Sequence, residues 1–302
     1  MKVLLTGATG FVGPAVARRL RARKDALRVV TRDPATATQA LGQDVEIARL
    51  DDPPAKLFEG VEAVVNLMGE PIFGKRWNDA QKKKIRSSRV DGTRKLVDGM
   101  RSLPPAARPK AMVSGSAVGF YGARGDEELD ESGSIGVGFL ADVCREWEQA
   151  ALEAEALGVR VTTLRTGVVL GRFGGALAQM LPIFRLGLGG RIGSGRQWMS
   201  WIHRDDLAGL IVFALERDAV RGPLNGTAPH PVRNAEFTKA LGKVLKRPTA
   251  LPVPPLGLRA AFGESASILV EGQRVVPRRA LEAGYVFQYP TVTEALAEAT
   301  RP

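Results

Sequence analysis

Three glycines near the amino terminus have the spacing to hold a pyrophosphate. The run Leu5-Thr6-Gly7-Ala8-Thr9-Gly10-Phe11-Val12-Gly13 sets Gly7, Gly10 and Gly13 as Gly-x-x-Gly-x-x-Gly, between an apolar Val-Leu-Leu run and a stretch of helical apolar periodicity. At such a strand-to-helix junction glycine permits a tight turn, lets the backbone approach a phosphate and lets the helix pack closely on the sheet. The helix N-terminus adds unpaired N–H groups and the positive end of its dipole. Gly7, Thr9, Gly10, Phe11, Val12 and Gly13 are therefore the candidate phosphate-binding loop. A second apolar run ends Val29-Val30-Thr31-Arg32. An acidic residue there would accept from a ribose 2′-hydroxyl, whereas the planar donor fork of Arg32 suits a 2′-phosphate. The expected cofactor is NADP (NADPH); Asp33, next in the chain, leaves NAD open.

These residues need a scaffold, and the chain order supplies one. Short apolar runs at Val3–Leu5, Leu27–Thr31, Val45–Leu50, Val61–Leu67, Ala111–Ser114 and Val159–Leu164 read as strands. Helical patterns fall between them at Val12–Arg23, Asn78–Ser88, Val90–Met100 and Asp142–Leu157. Such alternation means βαβ units and a parallel sheet covered by helices on both faces. The expected fold class is α/β, a Rossmann-type doubly wound parallel sheet with a smaller C-terminal substrate lobe. Residues 1–170 make the NADP-binding domain, with the sheet completed by about 203–227, and 171–302 make mainly the lid and substrate lobe. Gly171–Gly195 is glycine-rich and basic and reads as a functional loop. A helix is expected over Asp205–Leu215, a last short strand over Pro223–Asn225, and a capping box at Thr291–Glu294 opening a terminal helix.

Composition narrows the function classes. A chain of 302 residues with 44% hydrophobic and 25% charged residues is an ordinary globular protein rather than a disordered one. Its single cysteine, Cys144, excludes an intrachain disulfide and a multi-thiolate zinc site, and fits a reducing cytoplasm. With His203 and His230 the only histidines, no metal site is expected. No apolar stretch approaches the roughly 20 residues of a membrane span. The 43 Lys and Arg against 32 Asp and Glu give a net charge of +11. That balance invites anionic partners. The basic concentrations at Arg18–Arg32 and Lys82–Arg89 lack the aromatic interleaving of a nucleic-acid platform, so they read as solvated helix faces plus a cofactor phosphate site. The expected partner is a small-molecule substrate, not nucleic acid or membrane, and a homodimer stays open.

The glycine loop, Asn66-Leu67-Met68-Gly69, Val90-Asp91-Gly92-Thr93, Ser114-Gly115-Ser116-Ala117 and Trp201-Ile202-His203-Arg204-Asp205-Asp206 make the chain resemble an extended short-chain dehydrogenase/reductase. More narrowly it resembles the atypical epimerase-family, sugar-nucleotide-epimerase-like subgroup with a short uncharacterised C-terminal domain. The segments shared with that subgroup are Phe173–Leu177, Gly193–Ser200 and Asn225–Pro229. The resemblance adds Leu67, Gly69 and Arg165 to the candidate cofactor residues and makes Ser116 the candidate that orients a substrate oxygen. It also implies a Tyr-x-x-x-Lys pair, which this chain lacks: Leu140 and Cys144 stand in its place. Tyr121 matches the tyrosine of the family's Val-Tyr-Gly segment and is the candidate proton donor. Cys144 reads as a small buried hydrophobe and His203 as structural. Gln197, Trp198 and Trp201 are candidate walls of the substrate pocket. The expected function is an NADPH-dependent oxidoreductase acting on a small organic molecule. A nucleotide-sugar epimerase and a noncatalytic NADPH-binding redox sensor or interaction module are the alternatives.

Overall fold

The computed structural model describes residues 1–301. Seven parallel strands form the central sheet: β1 (Lys2–Thr6), β2 (Ala26–Val30), β3 (Glu46–Ala48), β4 (Ala63–Asn66), β5 (Ala111–Ala117), β6 (Arg160–Thr166) and β7 (Gly222–Gly226). Their spatial order is β7-β6-β5-β4-β1-β2-β3. The chain leaves β1 in one direction to build β2 and β3, then returns to add β4 on the other side. The resulting switch point lies between β1 and β4, where an open α/β sheet leaves a crevice at the strands' carboxyl ends. Strands covered on both faces need apolar residues on both, which is why Val3, Leu4, Leu5, Val64, Val65 and Val113 are all sealed from solvent.

Helix α1 (Gly13–Ala22) buries Ala15, Val16, Ala17 and Leu20 on one face of the sheet. Helix α2 (Pro34–Leu41) follows β2. On the opposite face, α3 (Asp79–Arg101) lays Leu96, Val97 and Met100 against Leu4, Val64 and Met112. The sequence suggests two helices separated at Arg89, but α3 is continuous over 23 residues. Its N-cap is Asn78, whose side chain accepts from the Gln81 N–H at 2.8 Å. Its glycines sit where side chains would collide: a Cβ on Gly92 would fall 2.3 Å from Met68 Sδ. Helix α4 (Phe139–Leu152) packs beside α3, its Trp147 indole N–H donating to Thr93 Oγ1 at 3.0 Å.

The glycine-rich segment departs from the expected long loop, because α5 (Gly175–Arg185) forms inside it. Leu177 and Phe184, seven apart on one helical face, drop into a second core with Leu170, Trp201, Phe237, Leu241 and Leu296. Helix α6 (Arg204–Glu216) returns to the sheet and lies against α1. The terminal helix Val292–Ala299 carries the expected capping box, Thr291 with Glu294. Two buried carboxylates fasten this tail. Glu131 accepts from the Asn225 and Arg279 backbone N–H groups, and Asp206 from those of Gln288 and Tyr289. No helix among the described residues is long and apolar enough to cross a membrane.

Candidate functional site

At the switch point the glycine loop is forced by contact. Gly7 has φ +66°, and a Cβ there would lie 2.4 Å from the Leu67 carbonyl oxygen. The carboxyl ends of β1 and β4 therefore touch through backbone. A Cβ on Gly13 would lie 2.4 Å from the Ala8 carbonyl oxygen, so the third glycine lets α1 begin directly against the loop. Gly10 differs. It is exposed, and a Cβ there would lie 3.2 Å from Gly7 O, a tight contact rather than an overlap. No side chain caps α1; Pro14 has no N–H and the N–H groups of Ala15 and Val16 bond the Val12 carbonyl, so the helix start leaves the Gly13 N–H for a ligand. Thr9 is exposed and Val12 half-buried at this end. The Phe11 ring instead points into a clasp. Cβ atoms on Gly174 and Gly175 would fall 2.3 Å and 2.6 Å from it, and the Arg204 guanidinium lies 5.4 Å from its centre. That explains Gly174 and Gly175: they make room for Phe11.

A buried polar network braces the crevice floor. Thr6 Oγ1 donates to Asn66 Oδ1 at 2.8 Å and accepts from the Leu67 N–H at 3.0 Å. Asn66 Nδ2 donates to Thr93 Oγ1 and Ser114 Oγ. These bonds fix the backbone that carries Leu67, which is half-buried, and Gly69, which is exposed.

Beyond β2, the two candidate specificity residues divide cleanly. Asp33 is the N-cap of α2: its oxygens accept from the Thr36 N–H at 3.1 Å and the Thr36 hydroxyl at 2.6 Å. Those bonds hold its carboxyl below the usual aspartate pKa. Arg32 is exposed and makes no ion pair or side-chain hydrogen bond among the described residues. The carboxylate that could serve a 2′-hydroxyl is used locally, and the guanidinium that could serve a 2′-phosphate is free.

The residues expected to do chemistry fare less well. Ser116, at the end of β5, is buried and donates to Glu148 Oε1 at 2.6 Å. Glu148 is held by Arg165 through two bonds of 2.8 and 2.9 Å. A carboxylate so paired only accepts, so the Ser116 proton is committed to it and Ser116 has lone pairs but no proton to offer. Tyr121 is 0% exposed. Its hydroxyl donates to Asn225 Oδ1 at 2.7 Å and accepts from Arg165 Nη1 at 3.0 Å, and burial pushes its pKa up. This geometry corrects the expectation of a proton donor: Tyr121 is a satisfied core phenol. Arg165 is corrected too. It is buried, with its guanidinium 3.5 Å from the Phe120 ring centre and its N–H groups spent on Glu148 and Tyr121, so no face is left for a cofactor.

Of the candidate pocket walls, Trp201 is fully buried in the second core and donates to the His230 carbonyl. Trp201 is therefore not a wall. Trp198 is half-buried between the guanidinium groups of Arg233 (4.6 Å) and Arg274 (5.0 Å), with its N–H on Asp126. Gln197 spends its amide N–H groups on the Ile192 and Leu269 carbonyls, a brace rather than a ligand contact. His203 caps α6 and pairs with Glu298 at 2.7 Å, in keeping with a structural role. Cys144 is buried, and desolvation raises its thiol to about 11. Among the described residues no cluster of His, Cys, Asp and Glu could hold a metal ion.

One residue beside Ser116 is not singled out by the sequence, Glu148. Glu148 stands four residues after Cys144 and so shares its helix face toward β5, a spacing that was available. Arg89 belongs to the basic concentration Lys82–Arg89 expected to be a solvated helix face or part of a phosphate site, and it is half-buried, its guanidinium beside Gly69.

The parallel sheet, its switch point and the glycine loop define a Rossmann-type dinucleotide fold. The chain belongs to the NAD dependent epimerase/dehydratase family, whose model matches residues 3–225. Residues 253–299 match a domain of unknown function, DUF1731. The chain is 47% identical to the chloroplastic epimerase family protein SDR39U1 homolog of Arabidopsis thaliana, over 98% of this chain and 86% of that protein. It is 39% identical to the human epimerase family protein SDR39U1, over 99% of each. The crystal structure of human SDR39U1 (isoform 2) with NADPH superposes with a TM-score of 0.90 at 38% identity, covering 99% of both chains. A nucleoside-diphosphate sugar epimerase from Corynebacterium glutamicum gives a TM-score of 0.77 at 32% identity, with this chain covering 58% of that one.

Proposed function

We propose that the chain is an NADP(H)-dependent oxidoreductase acting on a small organic molecule. The observation that carries the cofactor is the division between Asp33, spent on capping α2, and Arg32, free beside the glycine loop. The human relative crystallised with NADPH supports the same cofactor. Gly7 and Gly13 bring loop, strand and helix into backbone contact, Gly10 clears the approach, and the uncapped start of α1 faces the phosphates. Bound NADPH supplies a hydride. Neither Tyr121, sealed in the core, nor Cys144, a neutral thiol, is poised as a base for it. Ser116 can accept a hydrogen bond from a substrate hydroxyl but has no proton to give. Substrates that need little base catalysis follow from this: electron-poor alkenes, quinones and activated carbonyls, with the proton taken from water.

The same burial of Tyr121 and Cys144 favours a second reading, a noncatalytic NADPH-binding redox sensor. Turnover separates the two. Purified protein should oxidise NADPH with one of those acceptor classes and leave plain secondary alcohols and nucleotide sugars nearly untouched. Brisk oxidation of a plain alcohol, or rapid epimerisation of a nucleotide sugar, defeats the first reading; tight NADPH binding with no turnover on any class selects the second.

A further inference from the structure

Two neighbouring segments of the smaller lobe hold leucines out in water. Helix α5 turns Leu177 and Phe184 into the second core, so Ile183, just before Phe184, and Leu186, just past the helix end, face outward. Leu186 is 74% exposed, and Leu188 is more than half exposed. The chain then runs beside residues 248–253. Ile192 pairs with Val253 in parallel, and the Val253 N–H donates to the Arg191 carbonyl at 2.8 Å. A Cβ on Gly187 would meet Pro248 at 3.4 Å, and one on Gly190 would overlap the Leu251 carbonyl oxygen. That contact sets Leu251, also more than half exposed, against the Leu186–Gly190 run. The helix Pro255–Phe262 follows directly, with Leu256 78% exposed. Apolar side chains scattered singly on a surface are ordinary, whereas a group brought together marks a contact face.

The charges around these leucines have one sign. Residues 171–204 carry five arginines and no acid, and residues 237–263 carry five Lys and Arg and no acid. Arg185, Arg191, Lys246, Arg247 and Arg259 are exposed and form no ion pair among the described residues. Basic residues elsewhere are answered: Arg18 by Asp205, Arg21 by Asp44 and Arg86 by Glu146. A second copy of this chain on the face would set like charge against like. A folded acidic partner would need carboxylates placed to match each cation and pockets shaped for each leucine. An anionic bilayer needs neither, because hydrocarbon accepts apolar side chains of any shape and the headgroup layer supplies diffuse negative charge.

We propose that this face, Leu186 and Leu188 with Leu251 and Leu256, seats the protein on the surface of an anionic membrane. The leucines enter the acyl boundary and the five basic side chains lie among the headgroups. The expectation of no membrane partner rested on the length of apolar runs, which tests only for a spanning helix; a face that lies on a bilayer needs no such run.

Sedimentation with lipid vesicles tests this. The purified chain should partition onto vesicles of phosphatidylcholine with about a third phosphatidylglycerol, far less onto phosphatidylcholine alone, and less as NaCl is raised. Each basic residue near such a surface is worth about fivefold in partition, so Arg185→Gln with Arg191→Gln should lower it about ten- to thirtyfold. Leu186→Glu with Leu188→Glu should lower it at least as far, and Leu256→Glu alone by about tenfold. These side chains are exposed, so native circular dichroism is expected for every variant. Lys83→Gln with Lys84→Gln removes the same charge from the exposed side of α3, outside this face, and should stay within about threefold of wild type. No partition onto the anionic vesicles, equal losses for the lysine and arginine pairs, or leucine variants that bind like wild type would each overturn the proposal. Leucine-dependent binding to polyglutamate without binding to vesicles assigns the face to an acidic protein and overturns the lipid reading.

Discussion

Replacing Tyr121 by phenylalanine separates a structural hydroxyl from a catalytic one. The substitution keeps the ring, which is fully buried beside Phe120 and Leu129, and removes one oxygen. That oxygen is the donor to Asn225 Oδ1 and an acceptor for Arg165 Nη1. Asn225 cannot turn to compensate, because its Nδ2 is on the Val276 carbonyl and its backbone N–H on Glu131. An orphaned buried acceptor costs about 1–3 kcal/mol, and weakening one N–H of a buried guanidinium adds a similar amount at the low end. The expected destabilisation is therefore about 2–4 kcal/mol. At about 2 °C per kcal/mol for a chain of this size, Tm should fall by about 4–8 °C. Urea unfolding and a thermal scan measure this, while NADPH titration and turnover at 20 °C should match wild type within a factor of two or so. A variant with wild-type stability and no turnover would falsify the structural assignment and return Tyr121 to the chemistry.

Further outcomes follow from the same geometry. Gly10→Val should still fold, since its Cβ would crowd the Gly7 carbonyl at 3.2 Å without overlapping it, yet lose NADPH binding; Gly13→Val should fail earlier, at the level of soluble folded protein, because its Cβ would overlap the Ala8 carbonyl at 2.4 Å. Comparing circular dichroism and NADPH titration of the two tests that order, and identical behaviour counts against it. Arg32→Ala should cost about ten- to a hundredfold in NADPH affinity and leave NADH unchanged; equal wild-type affinities for the two cofactors would sink the 2′-phosphate assignment. At pH 8 iodoacetamide should alkylate native Cys144 at least about a hundredfold more slowly than the unfolded thiol, because a pKa raised from 9.0 to about 11 lowers the thiolate fraction by that much and burial keeps the reagent away as well. The sign for stability is the same: unfolding releases this proton above pH 9 and the native thiol holds it until about 11, so stability is lost across that window. Cys144→Ala should flatten this part of the pH–stability curve, and an unchanged curve speaks against the raised thiol.

The parts of the fold that were legible in the sequence are those governed by local rules. Val3–Leu5 followed by three glycines specifies strand, turn and helix, because only glycine fits where backbones meet. Thr291 and Glu294 specify a helix start through a reciprocal pair of bonds. Continuity of α3 was not legible, since Gly92 inside a helix looks like a weakness until Met68 is seen filling the space beside it. Tyr121, Arg165 and Trp201 misled for a common reason. Polar and aromatic residues at strand ends look available in one dimension, whereas partners 44 and 104 positions from Tyr121 enclose its hydroxyl. Glu148 is the residue that joins Ser116 to Arg165, and that pairing across two elements is invisible to spacing.

The position of β7 has a consequence for biosynthesis. Residues 222–226 cover the outer edge of β6, but the chain must first pass through α5, the second core and α6 before it reaches them. A nascent chain that has emerged only as far as Leu170 holds six of the seven sheet strands and exposes the open backbone of Arg160–Thr166. An uncovered strand of this kind is a template for pairing with another chain. Vectorial folding of the dinucleotide half therefore cannot finish before Gly226 leaves the ribosome, and the intervening segment must stay clear of the sheet edge until then. Truncations ending between Leu170 and Gly222 inherit that open edge permanently, and aggregation rather than a soluble half-protein is their natural fate.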